Sequence, residues 1–165
     1  MSIAIYPGSF DPVTLGHLNI IKRASACFDK VIVCTMVNSK KSGMFTPEER
    51  LDMLHRTTKR FPNVEVDASD DLLANYAKSR GATVLVKGLR AVSDFESEVQ
   101  MAMINSKLNP NLETVFLPSS AKYTYLSSTI VKEMARYGCN LADFVPREII
   151  DEVNQRMHEL ERKEG

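Results

Sequence analysis

Four stretches of this chain put anion-binding groups directly after segments that read as strands. Behind the first strand, Tyr6-Pro7-Gly8-Ser9-Phe10-Asp11-Pro12 leads into Thr14-Leu15-Gly16-His17, so that His17 falls in the first turn of the following helix. Free N–H groups and the dipole of a helix start favour an anion and disfavour an imidazolium, which points to a neutral imidazole donating to a phosphate. A lone histidine there is more often just packed on the helix surface; its company argues otherwise. Behind the second strand stands Asn38-Ser39-Lys40-Lys41-Ser42-Gly43, a lysine pair that composition alone would leave solvated. Behind the fourth, Lys87-Gly88-Leu89-Arg90 sets two cations about a glycine, the pattern of a phosphate clamp. Behind the fifth, Tyr123-Thr124-Tyr125-Leu126-Ser127-Ser128-Thr129 brings three hydroxyls to a helix start, where N-capping accounts for one.

The sequence contains neither GxGxxG nor GxxxxGK(S/T), no GxSxG, no Cys–His pair in a suggestive context and no metal-ligand cluster. His55 and His158 lie among charged neighbours in amphipathic segments and read as solvated. A cationic, hydroxyl-lined site without a nucleophile suits transfer of a phosphoryl or nucleotidyl group between two bound substrates. Positioning and electrostatics carry such catalysis.

These groups need a scaffold that gathers strand ends. Ser2–Tyr6, Lys30–Met36, Asn63–Asp67, Ala82–Lys87 and Leu112–Pro118 are short runs rich in Val and Ile and are expected as strands. Between them, Gly16–Phe28 carries Leu18, Ile21, Ala24 and Phe28 at helical spacing. Thr46-Pro47-Glu48-Glu49 is a capping box that opens a second helix, with Leu51 and Leu54 facing inward. Asp71–Ser79 is expected as a third, closed by Gly81, and the Ser93–Glu96 capping box opens a fourth that runs to about Lys107. Ser128–Tyr137, stopped by Gly138, makes a fifth. Pro146 starts a sixth, residues 146–165, whose charged end is expected to fray. Strand–helix alternation implies parallel strands and right-handed crossovers. The expectation is one doubly wound, Rossmann-like α/β domain over residues 1–165: a five-stranded parallel sheet, order 3-2-1-4-5, with helices on both faces. Ligands in such sheets bind beyond the carboxyl strand ends, at the switch between the first and fourth strands.

Composition narrows the partners. Lys plus Arg equals Asp plus Glu at 21 each over 165 residues, with 44% apolar residues. Zero net charge argues against a general nucleic-acid binder, and the apolar fraction against disorder. No run approaches a membrane span, the start MSIAIYPGSF is no secretory signal, and Cys27, Cys34 and Cys139 are scattered. A soluble cytoplasmic protein is expected.

Thr14-Leu15-Gly16-His17 resembles the (H/T)xGH signature of the nucleotidyltransferase superfamily. Lys87–Glu96 (KGLRAVSDFE) and Leu126–Glu133 (LSSTIVKE) narrow the likeness to the bacterial phosphopantetheine adenylyltransferase family, from Ala4 to about Phe144. The resemblance implies reversible transfer of the adenylyl group of Mg²⁺-bound ATP to 4'-phosphopantetheine, which gives 3'-dephospho-CoA and pyrophosphate in coenzyme A biosynthesis. It implies in-line attack without a covalent intermediate, His17 stabilising the transition state. ATP would meet Ser9, Phe10, His17, Gly88, Leu89, Arg90, Glu98, Tyr123, Thr124, Tyr125, Leu126, Ser127, Ser128 and Thr129. The acceptor would meet Ser9, Lys41, Leu73 and Lys87. It further implies a homohexamer built as a dimer of trimers and coenzyme A as feedback inhibitor.

Three positions depart from the family's usual pattern: Lys87 stands where many members have Arg, Ser9 where many have Thr, and Thr129 in place of a third Ser. Each keeps its charge or hydroxyl, though Lys87 loses the bidentate fork. Two other readings compete. One is a sister transferase with another phosphate acceptor, such as nicotinate mononucleotide or glycerol 3-phosphate; GLRAVSDFE speaks against it. The other is a non-catalytic nucleotide-binding module, in which TLGH would have no purpose.

Overall fold

The structure is a computed structural model that describes residues 1–165, except for the side chains of Val92 and Ser93. Strands β1 (Ile3–Gly8), β2 (Lys30–Met36), β3 (Val64–Ser69), β4 (Val84–Leu89) and β5 (Glu113–Pro118) form one parallel sheet in the order β3-β2-β1-β4-β5. Six helices connect and follow them: α1 (Leu15–Cys27), α2 (Pro47–Thr58), α3 (Leu73–Ser79), α4 (Val92–Leu108), α5 (Ser128–Arg136) and α6 (Ile150–Glu164). The central strands are buried on both sides, so they read as continuous apolar runs, and successive residues serve opposite cores. Ala4, Tyr6, Val31, Val33 and Val86 pack with residues of α1, α2, α5 and α6. Ile5, Ile32, Cys34 and Leu85 pack with Ala74, Tyr76 and Ala77 of α3. The expected architecture and strand order are the observed ones.

One asymmetry of register makes the site. β1 pairs with β2 along its whole length, from Ile3↔Lys30 to Gly8↔Thr35, but with β4 only at Ala4↔Val84 and Ile5↔Leu85. Beyond Ile5 the two strands part. Tyr6–Gly8 and Lys87–Leu89 thus face an opening at the point where the strand order reverses.

Several boundaries differ from the sequence expectation. β1 extends to Gly8 and β4 to Leu89, because Thr35 and Pro118 give those extra residues ladder partners. Gly88 and Leu89 are therefore strand residues. α3 opens at Leu73, since the Asp71 carboxylate accepts from the adjacent Leu72 amide instead of capping the helix. α4 opens at Val92 with Ala91 as N-cap, so Ser93 lies inside the helix; its side chain is outside the described residues. In α2, Met53 and Leu54 are buried while Leu51 is only half-buried. A 3₁₀ turn, Arg147–Ile149, precedes α6, which continues to Glu164. Gly81 and Gly138 both close helices at positive φ (65° and 68°), the conformation only glycine adopts without strain.

Candidate active site

The opening between β1 and β4 is a cavity of about 350 Å³. β1 and its loop contribute Tyr6 through Phe10; the start of α1 contributes Thr14, Gly16, His17 and Ile20. β4 supplies Lys87, Gly88 and Arg90, α4 supplies Glu98, and the approach to α5 supplies Tyr123 and Leu126–Thr129.

His17 is fixed by the local fold. Thr14 Oγ1 accepts from the His17 amide (3.2 Å), and the Thr14 amide donates to His17 Nδ1 (3.0 Å), a reciprocal capping box with histidine in the place normally held by Glu or Gln. An amide N–H can only donate, so Nδ1 carries no proton and the neutral ring holds its hydrogen on Nε2. Burial, reinforced by the Arg90 and Lys87 cations, lowers the His17 pKa to about 4. The group turned to the cavity is thus a neutral N–H donor at any ordinary pH. Behind it, the Phe10 ring packs edge-on against His17 (centroids 4.9 Å) and Tyr6 (5.3 Å). Phe10 adopts φ 46°, and a Cβ on Gly8 would sit 3.0 Å from its Cζ, so the bare glycine is what lets the ring tuck under the strand.

The cations are arranged around this donor. Lys87 Nζ lies 3.4 Å from Glu98, a loose pair that leaves the ammonium available. Arg90 donates from Nη1 to the Leu126 carbonyl (3.1 Å), tying β4 to the segment before α5, and its Nε lies 3.4 Å from Asp94. Ser127 caps α5 by accepting from the Ile130 amide (3.2 Å), which leaves its own hydrogen free. Ser128 Oγ donates to the Pro12 carbonyl (2.8 Å) and so joins α5 to the first loop. Ser9 is exposed at the rim, its carbonyl held by Arg50 Nη1 (3.0 Å). An N–H donor, two cations, hydroxyls and the start of α5 around one space have the chemistry to bind a polyphosphate.

A cytidylyltransferase-like family model matches residues 5–134. The phosphopantetheine adenylyltransferase of Caldanaerobacter subterraneus subsp. tengcongensis is 53% identical over 163 residues, 99% of both chains. That of Clostridium botulinum (strain Hall) is 51% identical over 158 residues, 96% of both. The chain belongs to the phosphopantetheine adenylyltransferase family. Among solved structures, a Plasmodium falciparum nicotinic acid mononucleotide adenylyltransferase complexed with NaAD matches with TM-score 0.64 at 16% identity, covering 91% of this chain and 93% of that one. At that identity the likeness speaks for the shared fold.

Of the residues that family resemblance marks, Ser9, Phe10, His17, Lys87, Gly88, Arg90, Glu98, Tyr123, Leu126, Ser127, Ser128 and Thr129 meet at the cavity. The Phe10 ring is only 1% exposed and packs against the imidazole. Five others stand apart. Leu89 ends β4 and takes the Ser119 amide on its carbonyl; Thr124 donates to the Ser120 carbonyl; Tyr125 is exposed beside Phe144. Lys41 is exposed on the β2–α2 loop. Leu73 lines a smaller groove of about 110 Å³, with Leu85, Met101, Ala102, Asn105 and Thr114, which shares Lys87 and Glu98 with the main cavity. Sequence reasoning missed Ile20 and Ser119 as lining residues, since neither carries a charge or sits in a recognisable motif.

Proposed function

We propose that the protein transfers the adenylyl group of Mg-ATP to 4'-phosphopantetheine, releasing pyrophosphate and forming 3'-dephospho-CoA, and that the main cavity is where this occurs. One observation carries the mechanism: a histidine locked neutral, with Nε2–H facing a cavity flanked by Lys87 and Arg90. A phosphate oxygen of the acceptor attacks the α-phosphorus in line, and the bond to the bridging oxygen of the leaving pyrophosphate breaks. Negative charge gathers on the non-bridging α-oxygens; the His17 N–H and the two cations are already oriented toward it and need no proton transfer. Ser127, Thr129 and the start of α5 would receive the remaining phosphates of ATP.

Glu98 is the carboxylate lining the cavity and is engaged by Lys87, so Mg²⁺ is read here as part of the substrate, carried by the triphosphate oxygens. Lys87, shared by cavity and groove, would hold the acceptor phosphate, with Lys41 reaching in from its loop. The groove beyond Lys87 suits an elongated, amide-bearing arm: its walls are Leu73, Leu85 and Met101, and Thr114 Oγ1 is buried there without a partner. Coenzyme A, which carries the same arm and nucleotide, would occupy the same space as an inhibitor.

The same reading makes the chain a cytoplasmic homohexamer. An apolar surface on α4 supports assembly: Met103 is 69% exposed, and Ile104 and Leu108 of the same helix are exposed too. Incubation with Mg-ATP and 4'-phosphopantetheine should yield pyrophosphate and 3'-dephospho-CoA in equal amounts, and the reverse mixture should yield ATP. Failure of either direction with folded protein would refute the reading.

A further inference from the structure

Lys41 lies outside the cavity lining, so the loop that carries it must be set in place by something else. The buried carboxylate of Asp11, 5% exposed, accepts from the Met44 amide at Oδ2 and from the Phe45 amide at Oδ1, both at 2.8 Å. Lys132 Nζ approaches Oδ2 at 3.0 Å. Gly43 closes the fit: a Cβ there would stand 2.8 Å from Asp11 Oδ2 and 3.2 Å from the Phe45 carbonyl oxygen. On the outer side, Arg156 of α6 donates to the Met44 carbonyl (2.7 Å).

Asp11 stands two residues after Ser9, Gly43 two residues after Lys41, and Lys132 one helical turn after Ser128. Three separate segments of the site therefore converge on one carboxylate. A buried carboxylate without partners is costly, so this set of donors holds the three segments in a single arrangement. We infer that Asp11, with Gly43 and Lys132, is a positioning clasp that sets Lys41 relative to His17 for the acceptor phosphate. The inference rests on the reading of Lys41 as an acceptor ligand.

The test compares Gly43→Ala, Lys132→Met and Asp11→Asn with Lys41→Ala, measuring both KM values, kcat and the unfolding temperature. Lys41→Ala should raise the KM for 4'-phosphopantetheine about tenfold or more. Gly43→Ala and Lys132→Met should raise it roughly 3- to 10-fold, the scale of a misplaced binding group, with the KM for ATP and kcat within about twofold. Lys132→Arg, which keeps the charge, should restore the acceptor KM. Asp11→Asn is the variant most exposed to misfolding, and the other two stand without it. Folded Gly43→Ala and Lys132→Met with unchanged acceptor KM, beside an impaired Lys41→Ala, would overturn the clasp and leave the subsite reading intact. An unchanged KM in Lys41→Ala would overturn both.

Discussion

Replacing His17 separates the cap its ring makes with Thr14 from the transition-state donation proposed for it. In His17→Ala the transition state loses an oriented donor, which costs about 10²–10³ in kcat, or roughly 2.7–4 kcal/mol. The Thr14 amide also loses its acceptor, and Thr14 is only 1% exposed, so water cannot readily replace it. A lost cap of this kind costs about 1–2 kcal/mol, which lowers the unfolding temperature by about 2–8 °C in a domain of this size. His17→Gln should recover most of the stability, because a glutamine oxygen can accept from the cap amide while its NH₂ still reaches the cavity. Its turnover should lie about tenfold above that of His17→Ala. His17→Glu should be as stable as His17→Gln yet no more active than His17→Ala, since it restores the cap but sets a carboxylate against the phosphates. Pyrophosphate release at saturating substrates and thermal unfolding at pH 8 measure both quantities. Turnover of His17→Ala within about threefold of the parent would refute the donor role. Equal unfolding temperatures for the Ala, Gln and Glu variants would refute the cap.

Other consequences follow from the same geometry. Because the folded value of His17, about 4, lies below its ordinary 6.5, the unfolded chain takes up a proton first as the pH falls. Its contribution is therefore intact above about 6.5 and declines by about 1.4 kcal/mol per pH unit below that, so chemical denaturation should show falling stability between pH 6.5 and 4, with the slope reduced in His17→Gln. Glu49, held below its ordinary range chiefly by Arg156, adds a loss at lower pH still; Glu49→Gln should flatten the acid limb there. Lys87→Ala should raise the KM for the acceptor about tenfold and Lys87→Arg should not, checked by initial rates. Met103→Glu should shift the assembly to smaller species in sedimentation velocity while the secondary structure by circular dichroism stays unchanged.

The sheet was legible because its signals are local: buried parallel strands are apolar runs, and Gly81 and Gly138 mark helix ends by the backbone they require. Strand ends were less so, since β1 and β4 are extended by partners distant in sequence. The clustering of His17, Lys87, Arg90 and Ser127–Thr129 could be foreseen from their places at strand ends. How His17 is held could not, because a histidine in a capping box breaks the usual pattern of Glu or Gln. The Phe10 ring is buried against His17, on a backbone of positive φ that no residue type announces. Asp11 reaches amides more than thirty residues away, and nothing in the spacing foretells that bond.

The identity of the acceptor is tested most directly by pyrophosphate release from Mg-ATP with 4'-phosphopantetheine, nicotinate mononucleotide or glycerol 3-phosphate offered separately. Turnover with 4'-phosphopantetheine alone is the predicted result. Turnover with either of the others in its place would move the acceptor assignment, and ATP binding without turnover in any mixture would contradict catalysis altogether.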